Sequence, residues 1–326
     1  MKSYTVRKYQ TSDYPLWNEF VANAKNATFL FHRDFMEYHQ DRFEDFSLLV
    51  FDEKNHLKAI LPANRVGDNL YSHQGLTYGG VLLQHNIKLS DFVSIAKSIF
   101  QFLTVLEFKK IIFKLIPSIY SQIPSDELQY LSFLLNGNLV RRDVLSVLDL
   151  NSSFIFSLDR KNGIKRGIKN DLKIKEESNF ESFWNEILIP NLSEKHQVKP
   201  VHSLEEIQYL HDKFPKKIRQ FNVYKNSKIV AGTTIFETNL VAHSQYISGN
   251  SDKSELGSLD FLHDYLISSV FKDKKYFDFG ISNENQGKNI NEGLLYWKES
   301  FGARSVVQNF YEIEIKNYTL LENVLI

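Results

Sequence analysis

Residues 276–302 read YFDFGISNENQGKNINEGLLYWKESFG and contain three structural signals in a row. Tyr276–Phe279 has the aromatic, alternating character of a short strand. A loop rich in amide side chains follows, and the apolar spacing of Gly293–Phe301 predicts a helix. Strand, polar loop and helix in this order indicate an α/β unit.

The neighbouring sequence extends this unit in both directions. Before it we predict a basic helix over 159–172, a hairpin of strands 219–224 and 229–237, a strand over 240–248 and a helix over 258–271. A last strand follows at 306–315. The first half of the chain repeats nearly the same order of elements. The sequence therefore predicts an α/β (α+β) protein of two tandem domains, residues 1–152 and 153–326, each a mixed, largely antiparallel sheet flanked by helices.

The composition narrows the function classes. Lys plus Arg and Asp plus Glu both number 39, which argues against a protein that binds nucleic acid by bulk charge. The absence of cysteine excludes disulfides, thiolate metal sites and a cysteine nucleophile. No segment has about 20 consecutive apolar residues, so no membrane span is expected. A cytoplasmic location is the resulting prediction, with no nucleic-acid partner and no metal.

Two clusters in the first half are candidate binding segments. Residues 31–43 crowd histidine, arginine and acidic side chains onto a short helix, which suits an anionic ligand; a solvated helix face is the alternative. Residues 71–80 contain three glycines that permit close backbone approach; a turn-rich connector is the alternative. The predicted substrate-binding residues of the two clusters are His32, Arg33, Tyr38, Arg42, Gln74, Gly75, Thr77, Tyr78 and Gly79, and His73 is a candidate base.

The second half adds its own candidates. Asp278, Asn283 and Asn285 suit hydrogen bonding to a polyhydroxy or amide ligand. The Asp-Phe-Gly sequence is not the kinase motif, because the other kinase motifs are missing. Lys298 stands between a tryptophan and a Phe-Gly turn; an exposed helix lysine is the alternative. The basic helix around Arg166 offers phosphate contacts or, alternatively, a solvated face.

In combination, these second-half features resemble the carboxy-terminal GNAT domain of the Fem-type tandem acyltransferases. The segments that carry the resemblance are the basic helix 160–170, the strands 229–234 and 242–246, Asp278-Phe279-Gly280 and Lys298-Glu299-Ser300-Phe301-Gly302. The first half resembles the amino-terminal half of bacterial enzymes that N-acylate nucleotide-linked amino sugars.

The resemblance implies two GNAT-like domains, an acyl donor on coenzyme A or a charged tRNA, and an amine acceptor. Lys298 lies near the acceptor in relatives. The phosphate-cradling Arg/Gln-x-x-Gly-x-Gly/Ala turn of simple GNAT enzymes is absent, although amides at the start of the helix from Ser258 could hold a pyrophosphate. The predicted cofactor-binding residues are Tyr246, Ser248, Gly257, Ser258 and Arg166.

We therefore predict an N-acyltransferase that moves an acyl group from acyl-coenzyme A to a dTDP- or UDP-linked amino sugar, by direct attack in a ternary complex. Cell-surface polysaccharide biosynthesis is the predicted context, and the chain is expected to be a monomer or homodimer. The predicted catalytic residues are His73, Lys298 and Asp278, with His73 or His32 preferred as a base. The alternatives are a Fem-type aminoacyl transferase that uses tRNA on a cell-wall precursor, and a non-catalytic GNAT-like binding protein.

Overall fold

The chain forms two compact units in a computed structural model that describes residues 2–326, without the side chains of Lys195 and His196. The first unit contains residues up to Asp143 together with Val307–Ile326, and the second is Val144–Val306. These units differ from the predicted ranges 1–152 and 153–326 chiefly at the end of the chain, where residues 307–326 join the first unit.

The first unit contains most of the short strands. Its elements are β1 (Thr5–Lys8), α1 (Tyr14–Asn23), α2 (Arg33–Met36), β2 (Glu44–Asp45), β3 (Leu48–Phe51), β4 (Leu57–Leu61), β5 (Asn64–Val66), β6 (Asn69–Tyr71), β7 (Leu82–Leu83), α3 (Leu89–Val105), β8 (Lys110–Lys114), α4 (Glu127–Leu134) and the start of β9 (Asn138–Asp149).

The strands of the first unit belong to two sheets. The strands β1, β3, β4 and β7 make an antiparallel sheet, while β2, β5, β6 and β8 lie side by side in another, with β6 and β8 parallel. Helix α3 has a broad apolar face, and its Phe92, Ile99 and Leu103 are buried against strand residues such as Phe113. This amphipathic helix therefore closes the core of the unit.

The second unit follows with longer strands. Its elements are α5 (Leu158–Lys169), β10 (Lys173–Glu177), α6 (Ile189–His196), α7 (Leu204–Lys213), β11 (Ile218–Lys225), β12 (Lys228–Glu237), β13 (Val241–Gly249), α8 (Lys253–Leu256), α9 (Ser258–Tyr265), β14 (Tyr276–Ile281), β15 (Asn283–Glu284), β16 (Asn289–Ile290), α10 (Glu292–Glu299) and the start of β17 (Arg304–Glu314). A π-helical segment, Phe183–Leu188, precedes α6, and another, Leu266–Val270, follows α9.

The sheet of the second unit is mixed and largely antiparallel. Strands β10, β11, β12 and β13 pair antiparallel in chain order, β13 pairs parallel with β14, and β14 pairs antiparallel with residues 145–149 of β9. Phe221, Phe277, Leu262 and Phe301 are buried in its core. The predicted fold class, α/β with mixed sheets flanked by helices, is confirmed.

Among the described residues, no helix is both long enough and apolar enough to cross a bilayer.

Helices α5 and α9 pack unusually closely because two glycines of α5 face α9. A Cβ atom at Gly163 would lie 1.7 Å from the Asp260 Oδ2 atom, and one at Gly167 would lie 2.5 Å from the Phe261 Cβ. From the other side, a Cβ at Gly257 would lie 2.1 Å from the Gly163 carbonyl oxygen. Any side chain at these positions would push the two helices apart.

We expect Gly163→Ala to lower the free energy of unfolding by about 1–3 kcal/mol through overpacking, against a helix-propensity gain of only ~1 kcal/mol. Gly293→Ala is the matched control, because its Cβ would have no neighbour closer than 4.0 Å and it lies in helix α10. Urea denaturation of both variants measures the difference. A Gly163→Ala variant as stable as the control would contradict the close packing of α5 on α9.

Candidate active site

The parallel strands β13 and β14 part in the middle of the second unit. They pair through only three residue pairs, of which His243 and Asp278 are the last. Strand β13 then runs on to Gly249 and β14 to Ile281 without pairing to each other. Ligands of open α/β sheets bind where neighbouring strands separate near their carboxyl ends. The point of separation is therefore the candidate active site.

His243 and Asp278 form a dyad at this point. The His243 Nδ1 atom lies 2.9 Å from the Asp278 Oδ2 atom. The Asp278 side chain is fully buried, whereas that of His243 is 12% exposed. A carboxylate at Nδ1 favours the imidazole tautomer whose Nε2 carries no proton. His243 is thereby oriented to accept a proton at Nε2.

Asp278 also shapes the strand that carries it. Its Oδ1 atom accepts a hydrogen bond of 2.7 Å from the Gly280 N–H. Gly280 has φ +71°, a conformation that glycine adopts without strain. Two residues of β14, Phe279 and Gly280, stand opposite one residue of β9 at this bulge. The carboxylate thus holds both the imidazole and the backbone turn next to it.

Lys298 of helix α10 reaches the same turn. Its ammonium donates hydrogen bonds to the carbonyl oxygens of Gly280 (3.1 Å) and Ile281 (2.6 Å). The residue is buried, and burial lowers the pKa of Lys298 to about 8, although the nearby Asp278 carboxylate opposes this shift. The structure therefore brings together two of the three predicted catalytic residues, Asp278 and Lys298.

Strand β13 has a bulge just beyond His243. Ser244 and Tyr246 pair with successive residues of β12, which leaves Gln245 without a partner in the ladder. Bulges recur beside active sites because they redirect side chains and free backbone groups. Tyr246, a predicted cofactor-binding residue, instead lies in the interior with its hydroxyl 2.6 Å from His202 Nδ1. Burial raises the pKa of Tyr246 to about 12.

Of the other predicted cofactor-binding residues, Ser248 lies on β13, whereas Gly257, Ser258 and Arg166 lie on or beside helices α5 and α9. Ser248 accepts a hydrogen bond of 2.7 Å from Asn191. Gly257 and Ser258, at the start of α9, are buried beneath α5. Arg166 is exposed on α5. Helix α5 covers the first turn of α9. A pyrophosphate could therefore bind at Gly257 and Ser258 only if α5 moved.

Asp260 reinforces this arrangement in the first turn of α9. Its Oδ1 atom accepts hydrogen bonds from Arg160 (2.5 Å) and from the Trp297 ring nitrogen (2.9 Å). Burial raises the pKa of Asp260, and Trp297 and Arg160 oppose that shift. Asp260 thus adds a carboxyl group to the first turn of α9, close to the helix end that an anionic ligand would approach.

The amide residues after β14 have local partners. Asn283 Oδ1 accepts a hydrogen bond of 2.6 Å from the Val144 N–H. The Asn285 side chain donates to Asn289 Oδ1 at 3.2 Å, in an exposed turn. Their predicted role in substrate binding stays a prediction.

The predicted residues of segment 31–43 lie in the first unit, and most form part of its packing. Arg33 is buried, donates to Glu37 (2.8 Å) and Asp45 (2.6 Å), and lies 3.9 Å above the Tyr9 ring. His32 caps helix α2 by accepting from the Asp34 N–H. The ring of Tyr38 contacts His39, and Arg42 is exposed. Two carboxylates already neutralise Arg33, so this arginine needs no anionic ligand.

His73 belongs to the interior of the first unit. It has φ +68°, and its ring contacts those of His39 and Phe43. Burial lowers the pKa of His73 to about 3, with His39 contributing. An imidazole so depressed is a poor proton acceptor at neutral pH. The geometry therefore favours His243, which the sequence did not single out as a base.

The remaining residues of loop 72–80 anchor that loop. Gln74 and Asn64 exchange two hydrogen bonds, and Tyr78 donates to Thr28. Gly75 and Gly79 allow neighbouring groups to approach the backbone closely. A Cβ at Gly75 would lie 2.0 Å from His39 Nε2, and one at Gly79 would lie 1.7 Å from the Ser72 carbonyl oxygen. The Thr77 carbonyl accepts from Gln308.

Among the residues that the structure describes, no three histidine, aspartate or glutamate side chains cluster so as to hold a metal ion.

The buried ammonium of Lys298 predicts a pH dependence of stability. Its pKa in the fold, about 8, lies below the ordinary value of 10.5, so between these values the unfolded chain binds the proton and the folded chain does not. Stability should rise with pH over this window, by about 1–3 kcal/mol relative to a Lys298→Met variant. Urea denaturation from pH 7 to 10.5 measures the difference, with exposed Lys272→Met as the matched control. A difference between wild type and Lys298→Met that stays constant with pH would contradict the burial of a charged ammonium.

Comparison with known proteins identifies structures of similar fold. No protein-family model and no curated protein sequence matches the chain. Among solved structures it is similar to FemX, with 8% identity, a TM-score of 0.69, and coverage of 98% of this chain and 99% of that one. It is also similar to a conserved protein of unknown function from Bacteroides thetaiotaomicron (10% identity, TM-score 0.61, 96% and 99% covered). A third is L-PGS from Bacillus licheniformis (13% identity, TM-score 0.55, 82% and 83% covered). At these identities the likeness concerns the fold alone, and the Fem-type fold expected from the sequence is confirmed.

Proposed function

We propose that this chain is an acyltransferase that acylates an amine, and that His243 accepts the proton of that amine. The observation that carries the proposal is the His243–Asp278 dyad at the point where β13 and β14 separate. The Fem-type fold supports it, because a FemX-like chain with such a dyad combines a transferase scaffold with a base.

The proposed step follows from the geometry of the dyad. The neutral amine attacks the acyl carbonyl carbon, a C–N bond forms, and the bond from that carbon to the leaving thiol or alcohol breaks. The amine proton passes to His243 Nε2, and the imidazolium returns it to the leaving sulfur or oxygen. Asp278 stabilises the imidazolium without taking the proton. Lys298 acts as a positioning residue, since its ammonium fixes the Gly280 and Ile281 carbonyls beside the dyad.

The substrates proposed first are an acyl-coenzyme A and a dTDP- or UDP-linked amino sugar, as the sequence predicts. The cytoplasm and cell-surface polysaccharide biosynthesis are the corresponding setting. These assignments rest on the sequence resemblance.

A second candidate donor is an aminoacyl-tRNA ester. The observation that favours it is the covered start of α9, where Gly257 and Ser258 are buried and Asp260 provides a negative group. A donor that does not need a pyrophosphate at this helix end agrees better with that arrangement. The balanced net charge of the chain favours the coenzyme A donor.

The test offers both donors to the purified chain. Acetyl- and hydroxyacyl-coenzyme A are incubated with a panel of dTDP- and UDP-amino sugars, and thiol release is followed. In parallel, radiolabelled aminoacyl-tRNA is offered with amine acceptors. Transfer from one donor identifies it, whereas transfer from neither to any amine would refute the acyltransferase proposal.

With the active donor, we expect His243→Gln to lower kcat by about 10²–10⁴-fold, the usual contribution of a general base. Exposed His56→Gln is the matched control and should retain the wild-type rate. Asp278→Asn, which keeps the size of the buried side chain, should also lower kcat because it favours the wrong tautomer. Transfer by His243→Gln at the wild-type rate would remove His243 from the mechanism without disproving acyl transfer.

A further inference from the structure

Lys114 and Arg141 of the first unit lie on the two strands that flank Phe310, and both side chains approach its ring. Lys114, at the end of β8, pairs in register with Phe310 of β17, and Arg141 lies on β9, the other neighbour of β17. The Lys114 Nζ atom is 5.7 Å and the Arg141 guanidinium carbon 4.7 Å from the centre of the Phe310 ring. Two cations thus share one face of the sheet.

Lys114 has little compensation for its charge. Its ammonium donates one hydrogen bond, of 2.7 Å, to the Leu76 carbonyl, and no carboxylate of the described residues forms an ion pair with it. Burial, with a contribution from Arg141, lowers the pKa of Lys114 to about 8, while Asp143 opposes the shift. A lysine needed only to hold loop 72–80 would use one of its three N–H groups and leave two without a partner.

Arg141 is compensated but not saturated. Its Nε and Nη2 atoms form a bidentate pair with the buried Asp143, at 2.9 Å and 2.7 Å. Its Nη1 atom has no hydrogen-bond partner among the described residues. One carboxylate therefore serves two cations, and the cluster keeps a net positive charge and several unused donors.

From this geometry we propose that Lys114 and Arg141, on either side of Phe310, form a binding site for a phosphate group. A phosphate presents several terminal oxygens to the unused donors of both side chains, and its charge compensates the excess positive charge. A diphosphate-bearing ligand is the class whose two phosphate groups can meet both cations. The inference goes beyond the proposed acyl transfer and does not depend on it.

The test measures the binding of inorganic pyrophosphate to the whole chain by calorimetry at low salt and pH 7. Lys114→Met should weaken binding roughly tenfold or more, while Lys114→Arg, which keeps the charge, should stay close to wild type. Lys110→Met is the matched control, because Lys110 lies on the same strand but pairs with Glu312. Thermal melting verifies that each variant is folded.

The pH dependence adds a second readout. Arg141 and Asp143 are the charged groups that act on Lys114, and the pKa of Lys114 itself is about 8. The affinity of the wild type for pyrophosphate should therefore fall, relative to Lys114→Arg, as the pH rises through about 8. No pyrophosphate binding by the wild type, equal binding by Lys114→Met, or tighter binding of malonate than of pyrophosphate would each overturn the proposal. None of these outcomes bears on acyl transfer, which is measured separately.

Discussion

The second unit depends on a carboxylate that is entirely cut off from water. A buried charge is costly unless it is paired and hydrogen-bonded. Asp278 meets that requirement with His243 on one oxygen and the Gly280 N–H on the other. Strands β13 and β14 are therefore joined by a side-chain contact at the place where their backbone pairing ends. The same contact orients the imidazole, so the interaction that stabilises the fold also prepares the candidate site.

The half-buried Lys114 and the buried Lys298 show how similar electrostatics can serve different roles. Burial lowers the pKa of both Lys114 and Lys298 to about 8, and both donate to backbone carbonyls. Lys298 uses two carbonyls of one turn and has Asp278 nearby, which suits a positioning role. Lys114 uses one carbonyl and is repelled by Arg141, which leaves a charge to be compensated. The two lysines therefore differ chiefly in the partners of their ammonium groups.

Local patterns in the sequence predicted the elements well, since a strand was expected at 229–237 and β12 is found at Lys228–Glu237. The repeat of elements and the resemblance predicted the fold. The site was predicted only in part. Asp278 and Lys298 were found because they lie in one short stretch, but His243 lies 35 residues from Asp278. Their contact arises from a parallel pairing of strands, which no local periodicity reveals. His73 was proposed because it lies in a glycine-rich loop, but in the structure Gly75 of that loop packs closely against His39.

The close approach of α5 to α9 constrains the donor as well as the fold. A helix start attracts a pyrophosphate because its first N–H groups are unpaired and carry partial positive charge. In this chain Gly163 allows α5 to cover that end, and Asp260 places a carboxyl group in its first turn, held by Arg160 and Trp297. A pyrophosphate there would have to displace a helix and approach a buried acidic side chain. If the proposed acyl donor is held by its acyl end, at the point where β13 and β14 separate, it meets neither obstacle.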